Sequence, residues 1–147
     1  MDVNAEESVL IDAPAEVVWA YRLDYRNLPA YNPNVTDLEV LGGTEEPGVG
    51  TRYRFNVDVG RGPAPCVLTV RESVPNERIV NDMAADIDAS EVCTFVPEGG
   101  GTRFSIAMTS TLPEGVEPPV LEAATASGHA QLRLELDNVK RILESRR

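Results

Sequence analysis

The chain is poor in the residues that carry most metal and nucleophilic chemistry. It has one histidine, His129, and two cysteines, Cys66 and Cys93, in 147 residues. A structural zinc site needs about four ligands, mostly Cys and His at close spacing. No such spacing exists here, so no metal is expected, and no cofactor motif is present. Both cysteines sit inside strand-like runs, which suits reduced core thiols in a reducing compartment. Basic residues are also scarce, with 13 Lys and Arg against 24 Asp and Glu and a formal charge of −11. Nucleic-acid binding calls for a basic stripe, and anionic membranes attract basic segments. Neither nucleic acid nor a stable membrane association is expected. No apolar run approaches the roughly 20 residues of a membrane-spanning helix. Met1 to Glu7 is acidic and polar, unlike a secretory leader. The expectation is a cytoplasmic chain forming a single domain over 1–147, with its oligomeric state left open.

What is present is one long amphipathic segment and a series of short alternating ones. From Leu121 to Ser145 there is no proline, and Gly128 is the one glycine. Leu121, Thr125, Gly128, Leu132, Leu136, Val139 and Leu143 recur at steps of three and four, the spacing of a helical face. Pro118 and Pro119 precede the segment, where proline is tolerated. Lys140, Arg141, Arg146 and Arg147 favour the negative end of its dipole. Such a helix spans roughly 37 Å at 1.5 Å per residue and needs a long partner surface.

The rest of the chain supplies that surface. Glu7 to Ile11 predicts a strand. Pro14 to Leu23 predicts a short helix, with Glu16 near its positive end. Asp24 to Pro33 predicts a second short helix breaking into a loop. From Val35 onward, strands and turns alternate. The strands are Val35–Leu41, Thr51–Val59, Pro65–Ser73, Arg78–Met83, Ser90–Val96 and Thr102–Thr111. The intervening turns include Gly42-Gly43 and Pro97 to Gly101. Gly48-Val49-Gly50 leads into a strand, so it is a turn and not a phosphate loop. Asp86 and Asp88 lack a calcium-loop pattern. Short connections imply an antiparallel meander of seven strands, an α+β arrangement in which the twisted sheet curls around the long helix.

Several segments resemble the START-like superfamily, and within it the polyketide cyclase/dehydrase and lipid-transport group. They are Ser8-Val-Leu-Ile-Asp-Ala-Pro-Ala-Glu-Val-Val-Trp19, Asp24 through Leu28-Pro-Ala-Tyr-Asn-Pro33, Gly48-Val-Gly-Thr-Arg-Tyr-Arg-Phe55 and the closing helix. Tyr31 stands where the family often carries tryptophan. The resemblance implies the helix-grip fold, a curved seven-stranded antiparallel sheet around the C-terminal helix with two short helices between the first two strands. It also implies a cavity between sheet and helix for an apolar small molecule.

The residues expected to line that cavity come from three places. The inward sheet positions are Tyr53, Phe55, Val57, Leu68, Met83, Phe104, Ile106 and Met108. The helix offers Thr125, Gly128, His129 and Leu132, and the N-terminal loop offers Tyr31. All four tyrosines, the tryptophan and one of the three phenylalanines lie before residue 56, marking that third as an aromatic wall or as plain core. A pocket of this make-up, apolar with a few polar groups, suits a small-molecule site. No nucleophile or paired acid and base is identifiable, so a carrier or sensor is preferred over an enzyme. The alternatives are a polyketide aromatase/cyclase-like enzyme, with His129 or a pocket tyrosine moving a proton, and a co-chaperone-type protein-interaction module. His129 lies about 60° off the centre of the apolar stripe, taking 100° per residue, and reads more simply as a hydrogen-bonded flank residue. Strand directions bring the loops at 60–63, 84–89 and 112–119 to one end, where ligand entry is expected.

Overall fold

The computed structural model describes residues 1–42 and 45–146. The turn expected at Gly42-Gly43 and the cation expected at Arg147 thus lie partly outside the described residues. The element order is β1 (Asp2–Ile11), α1 (Ala15–Leu23), a 3-10 turn (Tyr25–Asn27), α2 (Leu28–Tyr31), β2 (Val35–Gly42), β3 (Arg52–Val57), β4 (Ala64–Val74), β5 (Arg78–Ala84), β6 (Ala89–Glu98), β7 (Gly101–Thr111) and α3 (Pro118–Glu144). This is an α+β helix-grip fold. The seven strands form one sheet in the order β1-β7-β6-β5-β4-β3-β2, and all pairs are antiparallel.

β1 begins five residues earlier than the sequence reading placed it, at Asp2 and not Glu7. Its register with β7 runs without interruption from Asp2↔Thr111 to Ile11↔Thr102. Val3 and Ala5 are buried while Asp2, Asn4 and Glu6 are exposed. That is a half-buried alternation, which the acidity of the segment obscured. At the other edge, β2 breaks register between Thr36 and Glu39, with Asp37 at φ 57°. A second irregularity lies in β4 between Val70 and Glu72. Bulges bend and twist a strand, and these help the sheet to curl.

The concave face is set by cross-strand rows. Ile79, Cys93 and Ile106 form one row. Val70, Asn81, Glu91 and Met108 form the next. Met83 pairs Leu68, and Leu68 pairs Tyr53. α3 lies across these rows, but only its C-terminal half is packed. Leu132, Leu136, Val139 and Leu143 are buried, whereas Leu121 and Thr125 remain partly exposed. Phe95 and Phe104 stack at 5.0 Å between centroids within the closed half. The stripe expected on α3 is therefore real along its length but satisfied by core over only part of it.

This asymmetry predicts unequal mutational costs. Leu136→Ala, at a fully enclosed site, should destabilise by about 2–5 kcal/mol. Leu121→Ala should cost under about 1 kcal/mol, because little packing is lost there. Urea denaturation of the two variants measures the contrast.

Candidate functional site

Beneath the open half of α3 lies a cleft in two adjoining parts. The outer part has a volume of about 430 Å³, and its wall includes Val3, Ala5, Ile87, Leu112, Ala124, Ser127 and Gly128. The inner part is about 160 Å³ and is lined by apolar side chains including Val35, Phe55, Cys66, Leu68, Met83 and Leu132. Val57, Val59, Met108 and Gln131 border both parts, so the two adjoin across these side chains. Arg61, Ile87 and Leu112 on the outer wall come from the three loops expected at one end. Gly60 and Gly62 take φ of 104° and 88° there, a region open to glycine at no steric cost.

The inner end is polar. Arg22, Tyr25, Asn32, Glu91 and Glu135 share its wall. Arg22 Nη1 donates to Glu135 Oε1 at 2.9 Å, and Nη2 donates to Glu91 Oε1 at 3.3 Å. Asn81 Nδ2 donates to the same Glu91 oxygen at 2.8 Å and also to the Tyr25 hydroxyl. Tyr25 donates to Glu91 Oε1 at 3.4 Å. Asn32 Nδ2 donates to Glu135 Oε2 at 2.8 Å. The guanidinium lies over the rings of Tyr31, Tyr25 and Phe104, at 4.9, 5.2 and 5.8 Å from their centroids. Arg22 is 1% exposed, and the Glu91 and Glu135 side chains are 6% and 13% exposed.

Such burial is tolerable only because the charges are paired and hydrogen-bonded. Burial opposes the Arg22 charge, but Tyr31, Tyr25 and Glu135 outweigh it and keep the group protonated. Burial raises the Glu135 carboxyl above the usual range, with Arg22 pulling the other way. Burial also pushes the Cys93 thiol up to about 12 and Cys66 up to about 11. Neither cysteine is therefore a ready thiolate nucleophile.

The expected site residues divide clearly. Phe55, Val57, Leu68, Met83, Met108, Gly128 and Leu132 stand on the cleft wall. Tyr53 packs on Tyr25 at 5.6 Å between centroids, and Phe104 and Ile106 are enclosed in the closed half. Tyr31 is also enclosed, behind Arg22. These four are buried in the core and do not border the cleft. Thr125 turns its hydroxyl to the Leu121 carbonyl at 2.9 Å and does not border the cleft. His129 does not border the cleft either. Its Nδ1 meets Glu7 Oε2 at 2.7 Å, and it is 43% exposed. Arg133 Nη1 bonds the other oxygen of Glu7 at 3.2 Å, so His129 belongs to a polar seam between α3 and β1.

Arg22, Asn81, Glu91 and Glu135 were absent from the sequence reading. Each carries a recoverable signal. Glu91 is in phase with Cys93 and Phe95, and Asn81 with Ile79 and Met83, at the two-residue period of a strand. Arg22 follows Val18 by four, and Glu135 lies three after Leu132 and four before Val139, the helical spacing. Polar residues standing in apolar phase are the signature of a buried polar site.

The fold and the cleft define a START-like helix-grip protein. A family model described as polyketide cyclase/dehydrase and lipid transport matches residues 2–144, and the chain belongs to that family. No curated protein matches it by sequence. Among solved structures, it is similar to the Zhui aromatase/cyclase from Streptomyces sp. R1128. That match has a TM-score of 0.84 at 18% identity, over 99% of this chain and 96% of that one. A START superfamily protein from Mycobacterium smegmatis gives 0.82 at 15% identity, over 98% and 99%. The protein TTHA0849 from Thermus thermophilus gives 0.76 at 23% identity, over 99% of each chain. No helix among the described residues is long and apolar enough to cross a membrane.

Arg22→Met should cost about 3–5 kcal/mol at neutral pH, because it leaves two buried carboxylates without their cation. An acid held above its unfolded pKa binds more protons in the native state, so stability falls as pH rises through that window. The deficit should therefore shrink as pH is lowered towards the ordinary glutamate range. Chemical denaturation over a pH series checks both the size and the slope.

Proposed function

We propose that the protein binds a small molecule with an apolar body in the cleft beneath α3, as a carrier or sensor. The observation that carries this reading is that a mostly apolar outer cleft adjoins an inner part with one polar wall. Small-molecule sites are mostly apolar, with a few placed polar groups, and fall at roughly 300–1,000 Å³. Membership of the polyketide cyclase/dehydrase and lipid-transport family supports a ligand of low polarity. The free, buried state of Cys66 and Cys93 fits a reducing, cytoplasmic setting, and the chain is taken to work as one domain.

Gly128 adds to this reading. A Cβ there would meet Ala5 Cβ at 3.4 Å and Met108 Cε at 3.6 Å, which is ordinary contact. Packing thus does not demand glycine, and its consequence is a wider cleft. Glycine in a helix interior costs about 1 kcal/mol against alanine. Gly128→Ala should raise stability by up to about that amount while narrowing the cleft and weakening ligand binding.

A second reading is an enzyme related in chemistry to aromatase/cyclases. The buried Glu135 carboxyl and the Tyr25 hydroxyl on the inner wall favour it, since both can exchange protons with a bound substrate. Incubation with poly-β-ketone mimics separates turnover from binding alone.

Native mass spectrometry of the purified protein should reveal a co-purified apolar molecule. Met108→Trp, which fills the junction of the two cleft parts, should weaken binding of an anilinonaphthalene probe at least about ten-fold with circular dichroism unchanged. His129→Ala should leave that affinity within about two-fold, because His129 lies outside the cleft. Equal probe binding by wild type and Met108→Trp would refute the cleft reading.

A further inference from the structure

The inner wall sets two carboxyl groups against one guanidinium. Glu91 and Glu135 both border the cleft, and Arg22 is the cation that pairs them. Resting on the cleft-binding reading above, we propose that the inner end receives the ammonium group of an apolar amine and discriminates against a carboxylate of the same shape.

The hydrogen-bond inventory supports this choice. Arg22 directs Nη1 and Nη2 at the two glutamates, and three aromatic rings surround its guanidinium. Its Nε has no hydrogen-bond partner among the described residues, but that atom is sealed from solvent. Tyr25 donates its proton to Glu91, and Asn32 gives its amide to Glu135. The donors of Arg22, Tyr25 and Asn32 are thus already turned toward carboxylates, whereas Gln131, whose Oε1 accepts from Asn34 at 3.3 Å, stands apart from them where the two parts adjoin. The acceptors are less fully used. Glu91 Oε1 takes bonds from Arg22, Tyr25 and Asn81, whereas Oε2 takes none among the described residues. Glu91 is nonetheless 5% exposed and borders the cleft. Each oxygen of Glu135 accepts one bond, while a carboxylate oxygen has room for about two.

An ammonium brings three donors and no acceptor, the complement of this set. It also balances the second carboxylate, which a neutral occupant would leave to be settled by a proton on Glu135. A carboxylate ligand would add a third acid to a site with one cation, and like charges at close range disfavour ionisation. The charge of −11 on the whole chain favours cations over anions near the molecule at long range, although Arg61 stands on the outer wall. The outer cleft, walled by Val3, Ala5, Ile87 and Leu112, would hold the apolar body.

The test compares three probes of one shape on the full chain: 2-naphthylethylamine, 2-naphthaleneethanol and 2-naphthaleneacetate. Isothermal titration at neutral pH and about 0.15 M salt limits long-range surface attraction. The amine should bind at least about ten-fold more tightly than the alcohol, with the carboxylate weakest. Glu91→Gln should lower the amine-to-alcohol affinity ratio about ten-fold. If that variant does not fold, Glu135→Gln serves for the same ratio. Met108→Trp should abolish binding of all three. The proposal is overturned if the acetate binds as tightly as the amine, or if the ratio survives the glutamine substitutions. Amine binding that persists in Met108→Trp would also overturn it, because the attraction would then lie on the surface. In any of those cases, alcohol binding lost in Met108→Trp leaves the cleft reading standing. Failure of all three probes to bind would remove both.

Discussion

The structure depends on the pairing of Arg22 inside the protein. A guanidinium taken out of water is costly unless its charge and its donors are matched. Here the matching groups come from β6 (Glu91) and α3 (Glu135), with the rings of Tyr25, Tyr31 and Phe104 around it. Satisfying one side chain on α1 therefore fixes the relative positions of α1, the sheet and the long helix. The pairing sits at a boundary. On one side, Ile79, Cys93, Ile106 and Leu136 are closed in a dry core. On the other, the sheet and helix separate and the cleft begins.

This division explains what could be read from the residues and what could not. The fold was legible because its signals are periodic and long. The apolar stripe from Leu121 to Leu143 and the alternation of Tyr53, Phe55 and Val57 each repeat enough to specify an element. The start of β1 was missed because Val3 and Ala5 are small and the residues between them are acidic. The site was half legible. Phe55, Leu68, Met83 and Met108 follow from facing inward, but so do Tyr53, Phe104 and Ile106, which are packed over. Periodicity tells which face a residue takes, and it does not tell how far along that face the helix stays in contact. The charged residues of the inner wall were lost for another reason. Arg22, Glu91 and Glu135 are charged types that apolar periodicity does not count, although their spacing places them in apolar phase. His129 drew notice as the one histidine, yet its partner Glu7 lies 122 residues away in sequence, beyond any local pattern.

The open half of α3 also shows how the fold divides stability from binding. The helix starts at Pro118 without a side-chain cap, and its first turns contribute little buried surface. Its anchorage comes from Leu132 onward, together with polar ties such as Asn138 Nδ2 to the Tyr31 carbonyl at 3.0 Å and Arg133 to Glu7. The N-terminal half can thus vary in side-chain size without loosening the grip. Since the structural neighbours are under 25% identical, they speak to the fold. What the cleft prefers must be sought in this chain's own inner wall.

The pairing of β1 with β7 has a consequence for how the protein comes into being. Val3 aligns with Ser110, and Ile11 with Thr102, so the first strand has no sheet neighbour until about a hundred residues later have been made. Contacts of such sequence separation are slow to form. The inner wall is later still, because Glu135 arrives only with the last helix. Until β7 and α3 have emerged, β1 has no strand beside it and the pocket is unfinished. Occupancy of the cleft would then report that α3 has docked on the sheet, and a ligand that binds only the native state would stabilise the folded domain by mass action.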